Sequence, residues 1–190
     1  MLVGSNGLRI AGASEGGQLG GALGAAGDFD GDGSRDFLVG APLFGIGGNF
    51  RAGRGYLVWG TNQVLPDQAV NLLGTGVIDG NAAEDRAGTA VAGGGVFNGD
   101  GLAEIAVGAP NADDGNRTNC GAVALIFGAT NRFSALTFST LNGTNGILLT
   151  GSSTNALAGA SLAWTGDWNG DGRAELAIGA PAANGSGRVY

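Results

Sequence analysis

The sequence has no histidine and no lysine, one cysteine and four prolines among 190 residues. Without histidine it lacks the commonest general base and the commonest transition-metal ligand. Neither a Ser-His-Asp nor a Cys-His arrangement can therefore form. Cys120 has no second cysteine to pair with, and with no base or metal partner in view it reads as a buried, inert thiol. No apolar stretch reaches the 18 residues of a membrane-crossing helix. Met1 to Gly4 lacks the charged and apolar regions of a signal peptide; if the protein is secreted, a leader has been removed or the sequence is part of a longer chain. The formal charge of −7 argues against a nucleic-acid partner.

What is abundant is glycine. Forty-one glycines follow no collagen period, and with 43% hydrophobic residues they point to many short strands and tight turns rather than disorder. The length suits one domain with one core. Nine of the sixteen acids fall in three places (Asp28, Asp30, Asp32, Asp36; Asp100, Glu104; Asp167, Asp171, Glu175). Those places are three copies of one unit: GDFDGDGSRDFLVGAP from Gly27 to Pro42, GVFNGDGLAEIAVGAP from Gly95 to Pro110, and GDWNGDGRAELAIGAP from Gly166 to Pro181. From the first loop position to the proline is 14 residues each time, 28 to 42, 96 to 110 and 167 to 181.

The loop chemistry suits a hard cation. Carboxylates two apart along a tight loop converge on one point, and calcium takes six to eight oxygens at about 2.3–2.6 Å. The first loop offers Asp28, Asp30, Asp32 and Asp36, with Ser34 giving its main-chain carbonyl. The third offers Asp167, Asn169, Asp171 and Glu175, with the Arg173 carbonyl. In the second, Val96 replaces the first acid and leaves Asn98, Asp100, the Leu102 carbonyl and Glu104. We therefore expect two well-formed calcium sites and a third that is weak or empty, since ligand charge tunes affinity. An EF-hand would need a bidentate Glu at position 12, where this chain has Val39, Val107 or Ile178; here the loop closes at position 9. A plain turn also favours Asp and Gly, but it does not need four acids at fixed positions.

This pattern, D-x-D-G-D-G-x-x-D before an apolar strand and Gly-Ala-Pro, resembles the FG-GAP repeat of integrin alpha-chain β-propellers and related bacterial proteins. Leu19-Gly20, Ala87-Gly88 and Ala158-Gly159 stand where that family has Phe-Gly, and 55–60, 121–128 and 187–190 look like its G-x-V-Y-V-F strand. The resemblance implies an all-β chain: a propeller segment of three four-stranded blades, at 7–75, 76–145 and 146–190. Repeat starts 68 and 71 residues apart allow four strands each. The four are 20–26, 37–40, 55–59 and 77–79 in the first repeat; 89–93, 105–108, 122–127 and 147–150 in the second; and 160–165, 176–179 and 188–190 in the third. The second strand of each, small and apolar, is expected to be buried on both faces. Phe29, Phe97 and Trp168 recur at loop position 2 and read as packing residues, as do Trp59 and Trp164.

Three blades do not close a ring, which takes about four to eight. The last blade lacks an outer strand, and Leu8–Ala11 has the pattern to supply it, to a second copy of the chain or within a longer one. The resemblance implies ligand binding on the face opposite the calcium loops, where Phe44, Phe50, Arg51, Asp113, Asp114 and Arg117 would stand. Two functions follow. One is a calcium-binding, non-enzymatic module for adhesion or protein binding at the cell exterior. The other is a structural protein that assembles as a homodimer or polymer through open blade edges. An accessory module of a larger hydrolase is a third. No nucleic acid and no membrane insertion are expected.

Overall fold

The structure is a computed structural model that describes residues 9–61, 68–69 and 74–190. Among the described residues it contains strands and two short 3-10 turns, 138–140 and 183–185, and no α-helix. The first sheet is built from β2 (Ala22–Gly27), β3 (Asp36–Ala41), β4 (Arg54–Val58) and β6 (Gly76–Asp79) in antiparallel succession. The second has β7 (Ala90–Gly95), β8 (Glu104–Ala109), β9 (Ala122–Ile126) and β11 (Gly146–Thr150). The third has β12 (Ser161–Trp164), β13 (Leu176–Ala180) and β14 (Arg188–Val189). β2 packs on β7 and β7 on β12, so the three sheets stack side by side as propeller blades without closing.

Strand pairing corrects the expected blade boundaries. Gly76–Asp79 bonds to β4 and Gly146–Thr150 to β9, so each outer strand completes the sheet before it. The sheets run 22–79, 90–150 and 161–189 rather than breaking at 75 and 145. The first sheet also has five strands instead of four. β10 (Ala135–Thr137), from the link that leaves the second sheet, adds in parallel to β6. The segment expected as an outer strand for the last blade is engaged elsewhere: β1 (Ile10–Ala11) pairs in parallel with β5 (Gln68–Ala69), while Leu8 and most of the 61–74 link lie outside the described residues.

The middle strands behave as their composition requires. β8 is buried at every residue and β3 at all but Phe37. β13 is only half-buried, because no further sheet covers it. The same cause corrects one packing expectation. Phe29 is fully buried, with Phe133 at 5.8 Å edge-on and Trp59 at 6.0 Å. Phe97 is half-buried against Trp164, ring centroids 6.3 Å apart. Trp168, at the same loop position in the outermost sheet, is 83% exposed.

The sheets meet at glycine. A Cβ on Gly40 would lie 2.0 Å from the carbonyl oxygen of Gly88, and one on Gly108 would lie 2.1 Å from that of Gly159. Both acceptor-side glycines, Gly88 and Gly159, have left-handed φ values of +84° and +85°, which glycine adopts without penalty. Each also donates its N–H to the Gly-Ala-Pro glycine of its own repeat, Gly88 to Gly108 O and Gly159 to Gly179 O, both at 3.0 Å. Gly179 has the same place in the third sheet, but there a Cβ would be crowded by the Ser161 hydroxyl, at 2.1 Å, and would meet the backbone no closer than 3.5 Å.

The prediction is a position-dependent cost for one substitution. Gly40→Ala and Gly108→Ala should each destabilise the fold by about 3 kcal/mol or more, since backbone must give way. Gly179→Ala needs only a serine rotamer change and should cost about 1 kcal/mol or less. Urea denaturation of the three variants measures this; equal losses would contradict the interface assignment.

Candidate metal centre

β2 and β7 each end in a bulge, between Ala25 and Gly27 and between Gly93 and Gly95, which turns the strand into the loop that follows. Inside each loop the side chains first hold their own backbone. Asp30 accepts the Asp32 N–H at 3.2 Å, and Asp32 accepts that of Ser34 at 2.7 Å. Asn98 and Asp100 do the same for Asp100 and Leu102, both at 2.8 Å. Asn169 and Asp171 repeat it for Asp171 and Arg173, at 2.8 and 2.9 Å. This two-residue reach is the ordinary Asx turn.

Position 9 ties the loop to the sheet. Asp36 accepts the Phe29 N–H at 2.9 Å with one oxygen and the Gly60 N–H at 2.7 Å with the other. Glu104 accepts from Phe97, and Glu175 from Trp168 at 2.7 Å. Position 1 closes the loop from the other side: Asp28 accepts the Gly33 N–H at 3.0 Å and Asp167 that of Gly172 at 2.9 Å. Val96 has no such oxygen.

Carboxylate oxygens of Asp28, Asp30 and Asp36 converge within 4.8 Å of one another, and so do those of Asp167, Asp171 and Glu175. That spacing is what two ligands of one calcium ion require, each about 2.3–2.6 Å away. Asp28 Oδ1 is buried and has no hydrogen-bond partner, so a donor or a cation is wanting there. These two loops fit a hard cation. The second has only two acids, Asp100 and Glu104; Glu104 is fully buried and its Oε1 is also unpartnered.

The electrostatics follow burial. Desolvation raises the pKa of Asp36, and the charges of Asp30 and Asp32 raise it further, against the pull of the Gly60 and Phe29 N–H groups. Burial likewise raises Glu104. Asp32, at the loop surface, is lowered, chiefly by the Ser34 N–H. Buried carboxylates that repel one another are the groups a divalent cation stabilises.

Sequence reasoning missed two contributors. The Gly60 amide reaches Asp36 from the end of β4. Arg132, from the link between β9 and β10, bonds Asp30 and Asp32 across about a hundred residues of sequence. Neither carries a local signal, because only the stacking of sheets brings them to the loop.

On the opposite face, Phe50 is exposed beneath the Arg51 guanidinium, 4.5 Å from its ring centre. Phe44 is half-buried against Tyr56 instead. Arg51 pairs with Glu84 at 3.7 Å and Arg117 with Asp114, while Asp113 accepts the Asn119 N–H at 2.7 Å. That face is therefore internally paired rather than a free array of charges.

Comparison with known proteins returns relatives of two kinds. The chain is 34% identical over 160 residues to a phosphatidylinositol-glycan-specific phospholipase D of Mus musculus, covering 83% of this chain and 18% of that protein. The human protein of that name is 32% identical over 178 residues, 90% of this chain and 19% of the relative. Integrin alpha pat-2 of Caenorhabditis briggsae is 33% identical over 129 residues, 68% of this chain and 10% of its own length. The chain thus spans about a fifth or less of these relatives. The FG-GAP repeat pattern matches three times, over residues 20–58, 87–126 and 158–190, the stretches that carry β2–β4, β7–β9 and β12–β14 with their acidic loops, and the chain belongs to the FG-GAP repeat family.

Proposed function

We propose that this chain is a non-catalytic, calcium-stabilised propeller module of a larger extracellular or cell-surface protein, where it serves adhesion or protein binding. The observation that carries the reading is the convergence of three acidic oxygens in the first loop and three in the third. In this reading Asp28, Asp30, Asp32, Asp36 and the Ser34 carbonyl hold one ion, and Asp167, Asn169, Asp171, Glu175 and the Arg173 carbonyl hold another. Asn98, Asp100, Glu104 and the Leu102 carbonyl form a weak or empty third site, because Val96 cannot ligate. The absence of histidine supports a binding role. The relatives' much greater length supports a module within a larger protein, including one that stands beside a catalytic domain as the phospholipase name allows. Integrin alpha among the relatives supports the cell exterior.

A second reading is self-association. Leu23 is 70% exposed on the open face of the first sheet, and Val189 and Trp168 are exposed on the third. Apolar side chains at both open ends favour docking of one copy on another, as an isologous dimer or a running polymer. Light scattering at high concentration should return a mass above the 18.5 kDa of one chain; a monomer throughout would remove this reading.

Calcium at 5 mM, on the order of several dissociation constants for an extracellular module, should raise the melting temperature above that in chelator. Asp171→Ala should remove one ion in calorimetry, while Asp100→Ala changes little. Asp36→Ala should differ from both. It strands two N–H groups whether or not calcium is present, and should cost about 2–4 kcal/mol even in chelator. Identical melts with and without calcium would contradict the reading.

A further inference from the structure

The first loop is approached by a cation that has no counterpart at the third loop among the described residues. After β9 the chain returns across the first sheet: the Ala129 N–H donates to the Phe29 carbonyl at 3.1 Å. Phe133 then packs edge-on against Trp59, ring centroids 5.7 Å apart. Between these anchors stands Arg132. Its Nε donates to Asp30 Oδ2, its Nη2 donates to Asp32 Oδ2 at 2.7 Å, and its guanidinium lies 5.1 Å over the Trp59 ring. The planar fork spans two carboxylates at once, which a lysine ammonium does not do as well.

The two loops differ in which acids converge, in part because position 3 is Asp30 in the first and Asn169 in the third. In the third loop they are positions 1, 5 and 9, Asp167, Asp171 and Glu175. In the first they are positions 1, 3 and 9, Asp28, Asp30 and Asp36. Arg132 pairs with Asp30 of that group and with the position-5 acid, Asp32, which lies outside it. None of the ion pairs among the described residues involves Asp167, Asp171 or Glu175.

We propose that Arg132 is a tethered cation that competes with calcium for the first loop, the guanidinium and the ion exchanging on the Asp30 and Asp32 oxygens. This rests on the calcium reading above. Arg132 then neutralises the loop when calcium is scarce, and it makes the four-carboxylate loop a weaker calcium site than its charge alone would give. Ion binding there also releases the guanidinium from Trp59 and so loosens the contact between the first sheet and the link that supplies β10.

Calcium calorimetry in an Asp171→Ala background silences the third loop and reads the first. Adding Arg132→Gln should tighten calcium binding roughly fivefold, the size of one partly exposed ion pair. The same change should lower the melting temperature in chelator and leave it unchanged in saturating calcium. Arg132→Lys keeps the charge without the fork. It should tighten binding by a smaller factor, and it serves where the glutamine variant does not fold. Affinity equal to or weaker than the parent's in the folded variants overturns the proposal and makes Arg132 a support of the ion rather than a rival. Uptake by the third loop of the unaltered chain with an unchanged first loop overturns this proposal alone. No calcium uptake by the unaltered chain overturns the calcium reading and the proposal together.

Discussion

Two glycines in contact set the dimensions of this fold. The Gly-Ala-Pro glycine of one repeat lies directly against the carbonyl of the glycine that opens the next, at Gly40 with Gly88 and at Gly108 with Gly159. No side chain of any size fits between them, so neighbouring sheets approach backbone to backbone near their inner strands. The neighbouring core is accordingly small: Ala26, Ala87, Ala109, Ala122 and Ala124 recur beside the larger Leu38, Ile105 and Val107. The close approach also joins consecutive loops. Ala103 donates its N–H to the Asp28 carbonyl at 3.4 Å, and Ala174 donates to that of Val96 at 3.0 Å. Val96, unable to act through its side chain, thus keeps the structural half of the position's role.

Each acidic loop divides its oxygens between two tasks. Those that accept backbone N–H groups fix the loop, as Asp36 does for Phe29 and Gly60. Those left over face one another within 4.8 Å. Hydrogen bonds from N–H groups stabilise the charged form, but they do not remove repulsion between like charges at that distance. The arrangement is therefore tense without a positive charge at its centre. In the first loop Arg132 supplies part of it. The third loop has no such partner among the described residues and stands more exposed.

Much of this was legible in the sequence because the determinants are local. The spacing of Asp28, Asp30, Asp32 and Asp36 encodes the loop, and the Val39-Gly40-Ala41-Pro42 run that follows encodes a buried strand and its interface. Outer strands were harder. Gly76–Asp79 and Gly146–Thr150 follow long links. The strand pattern groups 77–79 and 147–150 with the preceding strands, while blade boundaries at 75 and 145 group them with the following ones; the hydrogen bonds to β4 and β9 decide for the former. The parallel addition of Ala135–Thr137 to β6 and the reach of Arg132 to Asp30 depend on the stacking of whole sheets. Trp168 shows the converse limit. Its position in the repeat is identical to that of Phe29, yet burial there is conferred by neighbouring segments such as the one carrying Phe133.

The central claim is that the acidic oxygens left over in these loops hold a divalent cation. Anomalous scattering from crystals grown with calcium or a lanthanide substitute tests it most directly. The account predicts a strong peak between Asp167, Asp171 and Glu175 and a second, weaker one among Asp28, Asp30 and Asp36, with oxygens at about 2.3–2.6 Å. Well-ordered loops with no peak at either position would contradict it.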